Sequence, residues 1–151
     1  MKVIDSEHFM KQALREAQRA SKEDEVPVGA VIECGGRVLA VAHNLTQRLC
    51  DPTAHAEMQA ITAACNALGA KYLSDCTLYV TLEPCPMCAA ALRWAQIGTV
   101  VWGADDPKSG FRAVSTDMLH PKTVVHSGVL AEECSALMVD FFGRKRTPSK
   151  R

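Results

Sequence analysis

The order of apolar and turn-forming residues predicts a single α/β domain. Three observations carry that prediction: a Gly-Gly turn between two short β-rich runs within residues 29–42, a strand–helix–strand succession from Thr77 to Trp102, and helical periodicity in three other segments. The first implies an antiparallel hairpin and the second a parallel crossover, so the sheet combines both senses.

Taken in order, Asp5 or Ser6 caps a first helix in which Phe9, Met10, Ala13, Leu14 and Ala17 recur at helical spacing, ending near Ser21. Beyond the charged run Lys22-Glu23-Asp24-Glu25, residues Gly29 to Glu33, the turn Cys34-Gly35-Gly36-Arg37 and residues Val38 to Ala42 form the hairpin. A polar stretch from Asn44 to Pro52 leads to a second helix, with Thr53 as its cap, Ala56, Ala60, Ile61, Ala64 and Leu68 periodic along it, and Gly69 as its stop. Thr77 to Leu82 is rich in β-branched and aromatic residues and is followed by a Pro-bounded turn, so Cys85 falls just beyond a strand end. Alanine-rich Met87 to Ile97 predicts a third helix closing at Gly98, and Thr99 to Trp102 the strand after it. Residues 103–122 make a polar connection of a length that is usually functional or mobile. Thr123 to His126 adds a fifth strand, and Leu130, Cys134, Leu137, Met138 and Phe141 mark a last amphipathic helix running into a basic terminus.

Composition narrows the class. A chain of 151 residues buries one core without disulfides or a structural metal to make up a deficit. No apolar run approaches the ~20 residues of a membrane span, and Met1-Lys2-Val3-Ile4-Asp5 lacks the apolar core of a secretory signal, so a cytoplasmic location and no membrane partner are expected. Seven scattered cysteines, an odd number, do not form the dense framework of a disulfide scaffold. Net charge is zero, but Arg144, Lys145, Arg146, Lys150 and Arg151 crowd five positive charges into the last nine residues. That distribution argues against a broadly basic surface, so no DNA partner is expected; the tail reads either as a handle for an acidic partner or as a solvated, frayed terminus.

Chemistry concentrates at Cys85-Pro86-Met87-Cys88. A Cys-x-x-Cys step between a strand and a helix start fits a redox pair as well as a metal site. The decisive partner is upstream, where His55-Ala56-Glu57 lies thirty residues before Cys85, at the start of another helix. His55, Cys85 and Cys88 supply three ligands, which leaves a fourth tetrahedral position on zinc for a water whose pKa the metal lowers to about 7. Helix N-termini favour thiolates. Glu57, beside a ligand without being one, is the carboxylate available as general base and then general acid. Singly, each residue has a plainer reading, a satisfied polar histidine or a glutamate complementing a helix dipole. Together, His-x-Glu followed by Pro-Cys-x-x-Cys match the signature of zinc nucleobase deaminases. Glu83 is a further acid, read as a charge at a strand end.

At these residues the chain resembles the cytidine-deaminase-like superfamily and, within it, the bacterial tRNA-specific adenosine deaminases, which convert a wobble adenosine to inosine. The resemblance spans nearly the whole length, through Val26-Pro27-Val28-Gly29-Ala30-Val31, Asp51 to Glu57, Thr77 to Cys88, Ile97 to Gly110 and Gly128 to Arg146. It implies a three-layer α/β/α fold with a mixed five-stranded sheet, a zinc cofactor, a homodimer whose partner chain helps complete the pocket, and a tRNA anticodon loop as partner. It also implies that Asn44 contacts the target nucleoside and that Val28 and Pro84 line the base pocket. Asn44 reads equally as a strand-terminating turn residue. Two positions depart from the tRNA pattern: Ala90 stands where a glycine is common, and Pro86 gives the Pro-Cys-Pro-Met-Cys form also typical of guanine deaminases. The alternative is therefore a guanine or other free-base or nucleoside deaminase with the same zinc chemistry. Gly103 to Gly110 and Phe141 to Arg146 resemble the tRNA enzymes. A non-catalytic RNA-binding relative or a redox protein is the reading from another class; Glu57 speaks against the first and His55 against the second.

Overall fold

Gly35 and Gly36, at φ 60° and 86°, make the tight turn that only residues without a Cβ take readily, and they join β1 (Gly29–Cys34) to β2 (Arg37–His43) as an antiparallel hairpin. The computed structural model describes residues 3–146, with side chains described for 6–145. The remaining elements are α1 (Val3–Lys22), α2 (Ala56–Leu68), β3 (Cys76–Leu82), α3 (Pro86–Trp94), β4 (Thr99–Ala104), a 3-10 turn at Phe111–Ala113, β5 (Val124–His126) and α4 (Ala131–Arg146).

The strands lie in the order β2-β1-β3-β4-β5. β1 pairs antiparallel with β2 and β3, whereas β4 pairs parallel with β3 and β5, so the sheet is mixed and five-stranded. Strand alternation feeds two cores. Ala30, Ile32, Leu78, Val80, Val100 and Trp102 point to one face, where Ala56, Ala60 and Ala64 of α2 and Leu92 of α3 cover them. Val31, Tyr79 and Val101 point to the other, against Phe9, Met10 and Ala13 of α1 and Cys134 of α4. The result is the three-layer α/β/α arrangement expected. Among the described residues no helix is long and apolar enough to cross a membrane.

Several boundaries differ from the sequence expectation. The first helix starts at Val3, so Asp5 and Ser6 lie inside it rather than capping it, and the Asp5 side chain lies outside those described. Thr53 does not cap α2; its N–H and hydroxyl both donate to Asp51 Oδ1 at 2.8 Å, closing a turn, and His55 takes the cap position. Gly69 does end α2, at φ 66°. The third helix stops at Trp94, short of Gly98, because Gln96 turns left-handed at φ 52° and carries Ile97 into the core. Gly98 serves contact instead: a Cβ there would stand 2.3 Å from the Ser74 carbonyl oxygen. β4 runs on to Ala104, two residues beyond the expected Trp102. Arg144 and Lys145 belong to α4 and are bonded, Arg144 Nη2 to Ser21 Oγ at 3.0 Å and Lys145 Nζ to Asp24 at 2.6 Å, so this part of the tail is not frayed. Lys150 and Arg151 lie outside the described residues.

Candidate metal centre and active-site cleft

Two helix N-termini meet at one point. His55 is the residue before α2, with φ −70° and ψ 156°, and Cys85 the residue before α3, with φ −72° and ψ 168°, so both side chains project from extended backbone into the ends of their helices. Cys88 follows within the first turn of α3, fully buried. Gln59 braces the His55 approach, its Nε2 donating to the carbonyls of His43 at 2.9 Å and Ala54 at 3.2 Å.

His55 Nδ1 lies 3.6 Å from each of Cys85 Sγ and Cys88 Sγ, and the three donor atoms all fall within 4.8 Å of one another. A tetrahedral zinc with Zn–S about 2.3 Å and Zn–N about 2.0 Å places nitrogen and sulfur about 3.5 Å apart. The donor set and its spacing therefore fit zinc, held through Nδ1 of the histidine. Electrostatics point the same way. The hydrogen bond from Cys88, aided by His55, draws the Cys85 thiol down to about 4, while that same bond and burial push Cys88 up. The Cys85 contact raises His55. Cys85 is thus a thiolate before any metal arrives, and a cation bound there displaces the protons that Cys88 and His55 favour without it.

Glu57, second residue of α2, is 3% exposed. Burial pushes its carboxyl up to about 7, which suits a group that must take a proton and give it back near neutrality. His55, Glu57 and Cys85 line a cleft of about 680 Å³. Val28 and Asn44 line it too, tied together by the Asn44 N–H donating to the Val28 carbonyl at 3.1 Å. Asn44 Nδ2 donates to Thr46 Oγ1 at 3.2 Å and to Glu25 Oε1 at 3.4 Å. Asp105, Asp106, Lys108 and Ser109 line the cleft from the loop after β4, and Met138 and Phe142 from α4. Pro84 is buried next to Cys85, its carbonyl accepting the Phe111 N–H at 2.8 Å, and is not among the cleft-lining residues.

Glu25 and Glu83 are buried carboxylates whose burial escaped the sequence reading. Glu25, within the run taken only as charged, is fully buried and accepts the N–H groups of Gln47 at 3.0 Å and Arg48 at 2.8 Å, folding the loop beside Asn44. Glu83 is not a solvated charge at a strand end. It is 3% exposed and bonded to Arg112 and to the backbone of Asp106. A signal existed for Glu83, since an acid wedged between a buried strand and the metal-site Cys85 has little access to water; for Glu25 no comparable cue exists.

Residues 4–104 match the family described as the cytidine and deoxycytidylate deaminase zinc-binding region. The tRNA-specific adenosine deaminase of Bacillus subtilis (strain 168) is 44% identical over 98% of this chain and 95% of its own. A structure from work on A-to-I editing by tRNA:A34 deaminases at the wobble position of transfer RNA superposes with a TM-score of 0.80 at 47% identity, covering 86% of this chain and 98% of that one. Guanine deaminase from Bacillus subtilis gives a TM-score of 0.64 at 40% identity over 73% of this chain and 69% of its own. The zinc-spaced triad of His55, Cys85 and Cys88 thus sits in the matching part of the sequence, and the chain belongs to the cytidine and deoxycytidylate deaminase zinc-binding family.

Proposed function

We propose that this protein hydrolytically deaminates the wobble adenosine of tRNA to inosine, with His55, Cys85 and Cys88 holding zinc and Glu57 moving the protons. The observation that carries the reading is a zinc-spaced His–Cys–Cys set opening into the same cleft as a buried glutamate. Bound there, zinc supplies a Lewis acid that makes water a nucleophile at neutral pH. Glu57 takes the proton of the attacking water and delivers it to N1 of the adenine as C6 becomes tetrahedral. It then takes the proton of the new C6 hydroxyl and passes it to the amino group, so that the C6–N bond breaks, ammonia leaves and the C6 oxygen becomes the carbonyl of inosine. Val28 and Asn44 hold the base and sugar from one wall, whereas Pro84, expected to line the base pocket, is buried outside the cleft lining and joins the site only through its chain neighbour Cys85. Asn44 has Nδ2 engaged by Thr46 and Glu25, which orients its carbonyl oxygen as an acceptor.

Support for an RNA substrate comes from the identity shared with proteins named for tRNA. An anticodon loop also suits the mechanism, because its bases are already single-stranded and cost little to extrude. The same reading has the whole chain acting as one deaminase domain in the cytoplasm, as a homodimer whose second chain helps complete the pocket. Basic residues at 144–151 meet phosphates in this reading, with Arg144 and Lys145 held in place by their contacts to Ser21 and Asp24. Light scattering of the purified protein tests the dimer.

Guanine deamination is the second reading, raised by the Pro-Cys-Pro-Met-Cys form of the sequence and supported by the 40% identity to a guanine deaminase. The deciding experiment offers the zinc-loaded protein an anticodon stem-loop bearing wobble adenosine, free guanine and free cytidine, and quantifies inosine, xanthine and uridine. Inosine in the RNA is expected. Efficient xanthine formation without it would replace the tRNA reading with the guanine one.

A further inference from the structure

We propose that Arg112, which lies outside the cleft lining, is a positioning residue that sets the shape of the cleft wall at residues 105–109 by clasping the buried carboxylate of Glu83. Its consequence for catalysis rests on the deaminase reading; the clasp itself does not.

Glu83 follows β3 by one residue and precedes Cys85 by two, so it is rigidly joined to the metal-site backbone. Its carboxylate is enclosed by the loop that follows β4. Oε1 accepts the Asp106 N–H at 3.1 Å and Arg112 Nη2 at 2.9 Å, and Oε2 accepts the Arg112 N–H and Nε, each at 3.2 Å. The guanidinium reaches further. Nη2 pairs with Asp105 Oδ1 at 3.0 Å, that oxygen accepts Trp102 Nε1 at 2.8 Å, and the guanidinium carbon stands 4.8 Å from the Trp102 ring centroid. Ser109 N–H donates to Asp106 Oδ1 at 3.0 Å and Gly110 N–H to the Asp106 carbonyl at 2.8 Å, which closes the segment on itself.

Asp105, Asp106, Lys108 and Ser109, the residues so closed, line the cleft opposite Val28 and Asn44. Among the described residues, Arg112 supplies the only side-chain cation bonded to Glu83. Without it a carboxylate 1% exposed at its side chain keeps backbone donors alone, and the loop must open to admit water. A planar guanidinium meets both oxygens and Asp105 at once, whereas a lysine ammonium is a point charge that cannot reproduce the fork. Holding a substrate-facing wall in one shape is what lowers the cost of binding an ordered substrate.

The test compares wild-type, Arg112→Ala and Arg112→Lys proteins, all zinc-loaded, by hydrogen exchange and by steady-state deamination of the anticodon stem-loop. In Arg112→Ala the amides of Asp106, Ser109 and Gly110 are expected to exchange about tenfold faster, with α2 amides unchanged. KM is expected to rise about tenfold while kcat stays within about twofold. Arg112→Lys should fall between the two on both measures, and carries the test if the alanine protein does not fold. Unchanged exchange at 106–110, or faster exchange across the whole fold with KM unaltered, would overturn the proposal. If wild-type protein leaves the stem-loop untouched, the substrate reading falls by itself, and the exchange comparison alone decides the clasp.

Discussion

Replacing Glu57 by glutamine separates metal binding from proton transfer. The side chain is 3% exposed at the second position of α2, so the substitute must fit a closed space, and glutamine has nearly the same volume. Burial, rather than attraction to a neighbour, dominates the shift that lifts the carboxyl to about 7, so a neutral amide forfeits little favourable charge contact. A volume-conserving exchange of this kind is expected to change stability by less than about 1.5 kcal/mol. Activity should fall by about 10²–10⁴, which corresponds to about 3–5.5 kcal/mol of lost transition-state stabilisation. Glu57→Asp adds a geometric control. It withdraws the carboxylate by about 1.5 Å, one carbon–carbon bond, and misplacement of about 1 Å costs about 10² in rate. Single-turnover inosine formation, with zinc content measured on the same samples, provides the assay. Zinc should remain at wild-type stoichiometry in both variants. A glutamine variant that keeps its zinc and works within about tenfold of wild type would refute the role given to Glu57.

Chelating the zinc should lower the melting temperature, because a ligand bound only by the folded state stabilises it, and Cys88→Ala should melt like the chelated protein and ignore added zinc; a melting temperature insensitive to chelator would count against the centre. Gly29→Ala would place a Cβ 2.0 Å from the Ala13 carbonyl oxygen and 2.6 Å from the Ala17 nitrogen, both backbone of α1. A loss of about 2–3 kcal/mol in urea unfolding is expected, and an unchanged midpoint would contradict the close approach of α1 to β1. For Glu83, burial raises the carboxyl, but the Arg112 guanidinium and the amides of Asp106 and Arg112 more than offset it, so its value lies below the ordinary 4.5. A depressed carboxyl stabilises the fold above its unfolded value and loses that contribution as pH falls through its folded one. Glu83→Gln should therefore be less stable than wild type at neutral pH and lose less stability below about 4.5; parallel stability profiles from pH 3 to 7 would refute this.

Much of the fold was legible because its signals are local. Gly35-Gly36 needs only its own backbone to turn, and the β-branched run of β3 needs only its own composition to favour a strand. The three metal donors were legible for a similar reason: Cys85 and Cys88 are one helical turn apart, and His55 opens a helix whose alanine face, Ala56, Ala60 and Ala64, is plain in the sequence. Illegible features depend on what arrives from elsewhere in the chain. Thr53 looks like a cap until Asp51 captures it, and Gly98 looks like a helix stop until Ser74 is found against it. Glu25 and Glu83 look solvated until Gln47, Arg48 and Arg112 cover them. A buried charge is stable only with its partners, and no window of sequence contains both.

Pro86 shows how that difference bears on substrate choice. It is the first residue of α3, where a missing N–H forfeits no helix bond and the fixed φ of proline suits the helix start. Helix initiation next to a metal ligand is reason enough for a proline, whatever base is bound, and Pro86 is not among the residues lining the cleft. The walls of the cleft come instead from Val26 and Val28 ahead of β1, from Asn44 and Thr46 after β2, from residues 105–109 after β4 and from α4. Two of them are held by a carboxylate distant in sequence, Asn44 by Glu25 and the 105–109 segment by Glu83, itself clasped by Arg112. The metal centre can therefore stay constant while the walls diverge, so base identity is better sought in these braced loops than in the spacing of the cysteines.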